Sequence, residues 1–263
     1  MRIRPNAQLS PNTPLFHTLT VLDVLNSPSS FFAGHTFHKL ERYREYWNEC
    51  VDYSVPDLLT EMPVCTRLVV PLTRLASLKL PQIRELGVFL DVMHEEPNYI
   101  WDQHIAVNAN MSGLKLLHLF YHESTTFIMD VVKILGSLSA LETLVIDSTY
   151  LGGPYVDFFK AFIPMHTQVT SGLNRSTWEG QVSGVLCPRL ESLRIEYSRL
   201  TVEEPKLMAV LKDIVSGRAT SGFPLKSFTF LSWSPNKEWE LIGRDRSFIM
   251  EEVVPARAFQ LDI

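Results

Sequence analysis

The chain is predicted to fold as an α/β solenoid, with parallel strands along a concave face, helices along a convex face, and irregular repeats carrying insertions. Three observations predict this. First, a phrase of the form apolar-x-x-apolar-x-apolar recurs along the chain. It reads Leu114-x-x-Leu117-x-Leu119, Leu141-x-x-Leu144-x-Ile146, Leu190-x-x-Leu193-x-Ile195 and Leu225-x-x-Phe228-x-Phe230, with weaker copies at Leu19-x-x-Leu22-x-Val24 and Ile83-x-x-Leu86-x-Val88. Second, the stretches between copies change to a helical period. Third, a strand of this pattern cannot bury its apolar side alone, so neighbouring copies must stack into one continuous core. Such stacking makes an extended surface rather than a deep pocket, which points to binding rather than catalysis.

The elements follow in order. Residues 1–14 form a flexible start, and the first strand belongs to the Leu19 copy. Phe37, Leu40, Tyr43 and Trp47 suggest a helix, with Glu41, Arg42 and Arg44 along its exposed side. The first two copies are 64 residues apart, and a degenerate strand at Cys65-Thr66-Arg67-Leu68-Val69-Val70 divides that gap. Residues 72–80 also fit the phrase but lie too close to Ile83 to be a separate repeat, so Ile83 is taken as the strand. The later intervals are 31, 27, 49 and 35 residues. Leucine-rich repeats cluster at about 20–29 residues, so most intervals carry insertions.

Phe127, Val131, Ile134 and Leu135 lie on one helical face, with Gly136 as a stop. Leu207, Val210, Leu211 and Ile214 do the same before Gly217. Glu203 and Glu204 in the first turn and Lys212 late in the helix suit its dipole. Residues 165–186 are rich in Ser, Thr and Gly without a period and read as a surface insertion. Residues 231–263, with Trp233, Trp239 and Phe248, read as a C-terminal cap over the open apolar end. The whole of 1–263 is thus expected to be one domain.

The 263 residues are 46% hydrophobic and 20% charged, an ordinary globular balance. The net charge is -5, and no basic cluster exceeds a short pair, so neither nucleic acid nor an anionic membrane is an expected partner. Three cysteines, an odd and sparse set, suit a reducing compartment. No signal-peptide pattern follows Met1, and no apolar run nears the roughly 20 residues of a membrane helix. The expected location is cytoplasmic or nuclear, not secreted.

Catalytic patterns are absent. His94-Glu95-Glu96 is not followed by the spacing of a zinc-protease helix, and His118 and His122 straddle a strand end rather than share a helix face. No Gly-x-Ser-x-Gly elbow occurs. Residues 217–222 (GRATSG) have the glycine spacing of a phosphate loop but run into Phe223-Pro224, and read as a helix stop and turn. The chain is not expected to be an enzyme, and no cofactor, metal or catalytic residue is assigned.

The phrase assigns faces. Its fourth and sixth positions point to the core, so its third, fifth and seventh point to the concave face. Phe89, Leu116, His118 and Phe120 then form a largely apolar patch, and Asp147, Arg194 and Glu196 a polar half. An aromatic patch beside charges suits a protein-binding hot spot. The competing readings are that insertions cover this patch or that the register slips by one residue.

Several longer phrases carry a family likeness: SFFAGHTFHKLERYREYW, LPQIRELGV, HIAVNANMSGLKLLHL, SGLNRSTWEGQ, LCPRLESLRIE and ELIGRDRSFIMEE. They resemble the leucine-rich-repeat region of F-box-like proteins of mushroom-forming fungi, over nearly the whole chain from about Leu15. The resemblance implies a protein-interaction module, the substrate-recognition repeats of a ubiquitin-ligase adaptor. In such proteins an F-box docks to a cullin-ligase adaptor. Its opening Leu-Pro-x-Glu phrase is not found here, and Ser54-Val55-Pro56-Asp57-Leu58-Leu59 is the nearest stretch. A cullin-ligase adaptor is therefore an expected partner only if an F-box lies outside this chain. One alternative is an F-box-less structural remnant of the family without a ligase link, and a second is an enzyme whose site lies in an insertion.

Overall fold

In the computed structural model the described residues are 2–3, 17–25, 32, 34–46, 59–75, 77–90, 109–121, 128–151, 153–164, 185–200 and 204–232. The protein is mixed α/β and divides into two compact units, residues 1–120 and 121–263.

In the first unit a parallel sheet has the order β1 (Arg2–Ile3), β2 (Val21–Leu25), β3 (Arg42–Tyr46), β5 (Arg67–Pro71), β7 (Glu85–Leu90) and β8 (Leu116–Tyr121). The register aligns equivalent positions of the phrase. Leu22 pairs with Tyr43, Tyr43 with Leu68, and Leu68 with Leu86; Val24 pairs with Glu45, and Val70 with Val88. These residues are all buried, while Arg42, Arg44, Val69 and Glu85 between them are partly exposed. The alternation is that of strands with one face on a core.

Each strand starts at the same joint. The carbonyl of the phrase's second residue accepts two successive amides of the next strand. Thr20 O takes Glu41 N (2.9 Å) and Arg42 N (3.1 Å), and Glu41 O takes Thr66 N (3.0 Å) and Arg67 N (3.2 Å). Thr66 O takes Arg84 N and Glu85 N, and Arg84 O takes Lys115 N and Leu116 N. Ahead of most joints a buried residue three positions upstream closes a turn on the phrase's first residue, as in Cys65 N to Met62 O (3.2 Å) and Leu114 N to Met111 O (2.9 Å).

Two expectations are corrected here. The helix expected from Phe37 to Trp47 is absent: Arg42–Tyr46 is strand β3 (Trp47 lies outside the described residues). The three-residue step from Leu40 to Tyr43 fits a helix and the phrase equally, and the two-residue step to Glu45 decides for the strand. Leu40-x-x-Tyr43-x-Glu45 is thus a further copy with a polar sixth position. With the Cys65 strand, which is present as β5, it divides the first gap into intervals of 21, 25 and 18 residues. Helices also do not flank every strand. The layer under this sheet holds the one-turn helix α1 (Leu72–Leu75) and a short parallel pair, β4 (Thr60–Glu61) with β6 (Leu78–Lys79), extended by a bridge from Thr36 to Glu61. Residues 72–80 therefore supply this layer, leaving Ile83 at the head of β7. Within 1–14, where a flexible start was expected, Arg2–Ile3 pairs with Asp23 and Val24; the rest of that stretch lies outside the described residues.

Glu45 is held in the core by two donors. Arg74 Nε on α1 and the Tyr43 hydroxyl each donate to its Oε2 at 3.0 Å. Burial, then the Glu45 charge, pushes the Tyr43 phenol well above its ordinary range. Burial pulls the Arg74 guanidinium down most strongly, but the charges of Glu45 and Tyr43 and the hydrogen bonds to them together outweigh it and the group ends raised.

In the second unit β9 (Thr143–Leu151), β10 (Ser192–Leu200) and β11 (Ser227–Ser232) run parallel in that order. The phrase again stacks on itself: Leu144, Leu193 and Phe228 align, as do Ile146, Ile195 and Phe230, and all six are buried. The same joint recurs, with Glu142 O taking Glu191 N and Ser192 N, and Glu191 O taking Lys226 N and Ser227 N. Three helices cover the sheet's apolar side: α2 (Ile128–Ser137), α3 (Gly153–Lys160) and α4 (Glu204–Thr220). The α2 face of Val131, Ile134 and Leu135 is buried as its spacing predicts. Helix α3 was not anticipated, though Tyr155, Phe158, Phe159 and Phe162 carry the spacing and are fully buried.

Helix α4 does not stop at Gly217. It continues to Thr220 and ends at Gly222, whose φ of 83° supplies the left-handed turn that closes a helix. The extra turn carries Arg218, which is fully buried. Its guanidinium donates to the carbonyls of Leu186 (2.8 Å), Cys187 (3.0 Å) and Leu190 (3.2 Å). Those carbonyls belong to the turn that leads into β10, where Cys187 adopts a left-handed φ of 47°. Burial lowers the Arg218 guanidinium to about 10 and raises the Cys187 thiol to about 12. Of the expected 165–186 insertion, Val185 and Leu186 are buried in this turn, and residues 165–184 lie outside the described residues. Of the expected 231–263 cap, Leu231 and Ser232 still belong to β11, and residues 233–263 lie outside.

Leu193→Ala should cost about 2–5 kcal/mol in urea denaturation through lost burial and a cavity. Glu45→Ala should cost about 3–5 kcal/mol because it strands the Arg74 charge, whereas Glu45→Leu with Arg74→Met should cost clearly less. A double-mutant cycle in denaturant measures that non-additivity. Stability should also fall at alkaline pH. Burial raises the Cys65 thiol to about 11 and Cys187 to about 12, against about 9 when unfolded. Below pH 9 both states keep these protons. From pH 9 toward 11 only the unfolded chain loses them, so stability declines by at most about 1.4 kcal/mol per pH unit per thiol. Chemical denaturation at pH 8 to 10.5 should show a shallower decline for Cys187→Ala than for the parent.

Candidate protein-binding face

The third, fifth and seventh positions of the phrase build one face of each sheet. In the first unit the third positions of β3, β5, β7 and β8 are Arg42, Arg67, Glu85 and Leu116. The fifth positions are Arg44, Val69, Gly87 and His118. Phe89 and Phe120 follow at the seventh positions of β7 and β8.

Phe89 and Phe120 stack with ring centroids 4.5 Å apart, and His118 lies on the other side of Phe120 at 3.7 Å. All three side chains are partly exposed, as is Leu116. Gly87 makes this arrangement possible. A Cβ there would sit 3.1 Å from Val69 Cγ2 and 3.3 Å from Phe120 Cε2, closer than side chains ordinarily approach. The missing side chain lets the Phe120 ring lie over the β7 backbone and leaves a recess of about 130 Å³ beside it. Arg42, Arg44, Arg67, Glu85 and His118 are among its walls. Arg67 pairs with Glu85 at 3.1 Å in an exposed contact. Among the described residues no acceptor is found for Arg42, whose Nε is buried without a hydrogen-bond partner.

In the second unit the corresponding face is polar. Thr143, Ser192 and Ser227 hold the third positions, and Ser227 Oγ bonds Ser192 Oγ at 2.8 Å. Arg194 Nε donates to Glu196 Oε1 at 2.6 Å. Glu196 lies opposite Asp147 in the register, so two carboxylates sit side by side with one guanidinium. Glu196 is mostly buried and Arg194 is half exposed.

The sequence-assigned residues therefore lie where the phrase puts them: Phe89, Leu116, His118 and Phe120 together in the first unit, and Asp147, Arg194 and Glu196 together in the second. The register of the six copies does not slip. Sequence reasoning missed Arg42, Arg44 and Arg67. The signal was present, since the Leu40 and Cys65 copies of the phrase hold these residues at third and fifth positions. The polar Glu45 hides the first of those copies, and the second, read as a degenerate strand, carries no face assignment.

Among the described residues no group of three or more His, Cys, Asp or Glu side chains converges as a metal site would require. His122 lies outside the described residues. The described cysteines, Cys65 and Cys187, are buried, and burial raises both thiols, which makes them poor nucleophiles. Among the described residues no helix is long and apolar enough to cross a membrane.

Gly87→Ala should force Val69 and Phe120 to give way by a few tenths of an ångström. Near-UV circular dichroism should change as the Phe120 stack shifts, while denaturant stability changes by no more than about 1 kcal/mol, since both neighbours border open space.

Comparison with protein-family models, with curated proteins and with solved structures finds no match, so what the chain does must be read from its own surfaces.

Proposed function

We propose that the chain is a protein-interaction module of the leucine-rich-repeat solenoid type, taking a partner protein on the face built by the third, fifth and seventh positions. One observation carries this reading: consecutive in-register strands present Phe89, His118 and Phe120 as a partly exposed aromatic stack over a glycine, beside arginines. Aromatic and Arg side chains supply most of the binding energy in protein interfaces. The same face carries no converging nucleophile, base and orienting group, which an enzyme site would need.

The family likeness of the repeated phrases extends the proposal. Under it, the bound partner is the substrate of an F-box-like ubiquitin-ligase adaptor, and a cullin-ligase adaptor is a second partner through an F-box outside this chain. Co-purification of the adaptor with the gene's full-length product tests that extension separately from the binding face.

For the face itself, Phe89→Ala and Phe120→Ala should each weaken a partner by about 1–3 kcal/mol while leaving the melting temperature within a few degrees of the parent. Calorimetric titration and thermal unfolding on the same variants decide. A large fall in melting temperature, with affinity lost only in proportion to the unfolded fraction, would assign both rings to packing.

A further inference from the structure

The recess beside the aromatic stack allows the partner's chemistry to be named, an inference that rests on the interaction reading above. Among the described side chains on this face of the first unit five are charged: Arg42, Arg44, Arg67, Asp23 and Glu85. Glu85 is engaged by Arg67, and Asp23 lies opposite Arg44 in the register, with its Oδ1 buried and without a hydrogen-bond partner among the described residues. Among the described residues Arg42 is left with no acceptor and with a buried Nε lacking a hydrogen bond. The chain as a whole carries a net charge of -5, so a locally basic recess runs against its general balance. Arg42 is only partly buried, and a guanidinium without an acceptor takes a carboxylate by strong charge-assisted bonds from its accessible N–H groups.

We propose that the first unit binds an extended acidic segment of a partner protein, one carboxylate seated at Arg42 and one apolar side chain on the Phe89–Phe120 stack. Strands are spaced at about 4.8 Å, so β3 lies about 10–14 Å from β7 and β8 in the sheet order, and the rings sit four residues, about 13 Å, further along the strands than Arg42, so the two anchor points are about 16–20 Å apart. An extended peptide advances about 3.4 Å per residue. The acidic and apolar residues of the ligand should therefore be about five or six positions apart, with the peptide crossing the strands on a diagonal.

The test uses the full chain and two labelled peptides with a Gly-Ser background. One carries Glu and Trp six positions apart, and the other has Gln in place of Glu. The Glu peptide should bind at least tenfold tighter in fluorescence anisotropy. Arg42→Gln should abolish that difference, whereas Lys212→Gln, on the exposed side of α4, should leave it unchanged. Should Arg42→Gln unfold early, salt decides on the parent: the Glu peptide must weaken as salt rises and the Gln peptide must not. Equal affinity for the two peptides, or a salt-independent difference, overturns the proposal. So does a uridine oligonucleotide that displaces the Glu peptide and binds more tightly. A random-peptide selection on the same chain separates the two claims. Enrichment of neutral peptides overturns only the acidic ligand, and no enrichment at all overturns the interaction reading with it.

Discussion

The joint at the start of each strand constrains everything else. One carbonyl accepts two successive amides of the following strand, four times in the first unit and twice in the second among the described residues. That pair of bonds leaves no freedom of register. A slip of one residue would turn every apolar side chain of a strand to the opposite face. With the joint in place, fourth and sixth positions stack on their counterparts in the neighbouring strand, and the core follows.

The units fill the space under their strands differently. The second uses helices, whose apolar stripes of Val131, Ile134 and Leu135, of Tyr155, Phe158 and Phe159, and of Leu207, Leu211 and Ile214 close its sheet. The first uses extended segments between β2 and β7, where intervals of 18 to 25 residues leave little room for a full helix. Two buried arginines solve local problems in these layers. Arg74 compensates the carboxylate that β3 brings into the core, and Arg218 gathers the carbonyls of a turn that cannot pair them within the sheet. Both are reached from the helix beside them, which ties the covering layer to the strands.

The face opposite the core is then free to vary. In the second unit it carries hydroxyls and an Arg194–Glu196 pair that satisfy one another. In the first it carries arginines, an aromatic stack and a glycine, so its groups are less self-contained. A surface with partly exposed rings and an unmatched guanidinium has more to gain from a partner than one whose polar groups are already paired.

The sequence by itself determined the strands, the faces of their side chains and the apolar sides of α2 and α4, because each depends on local periodicity. It did not reveal β3. There Glu45 occupies a core position, and only the approach of Arg74 from 29 residues away makes a buried carboxylate tolerable. Nor did it place the end of α4, since Gly217 is a plausible stop until Arg218 is seen bonding a turn 28 to 32 residues upstream. Tertiary structure also decided the recess at Gly87 and the company of Arg42, because a missing side chain acquires meaning only from the Val69 and Phe120 that neighbouring strands bring against it. Periodicity reports which way a side chain points, and only the sheet order reports what it meets there.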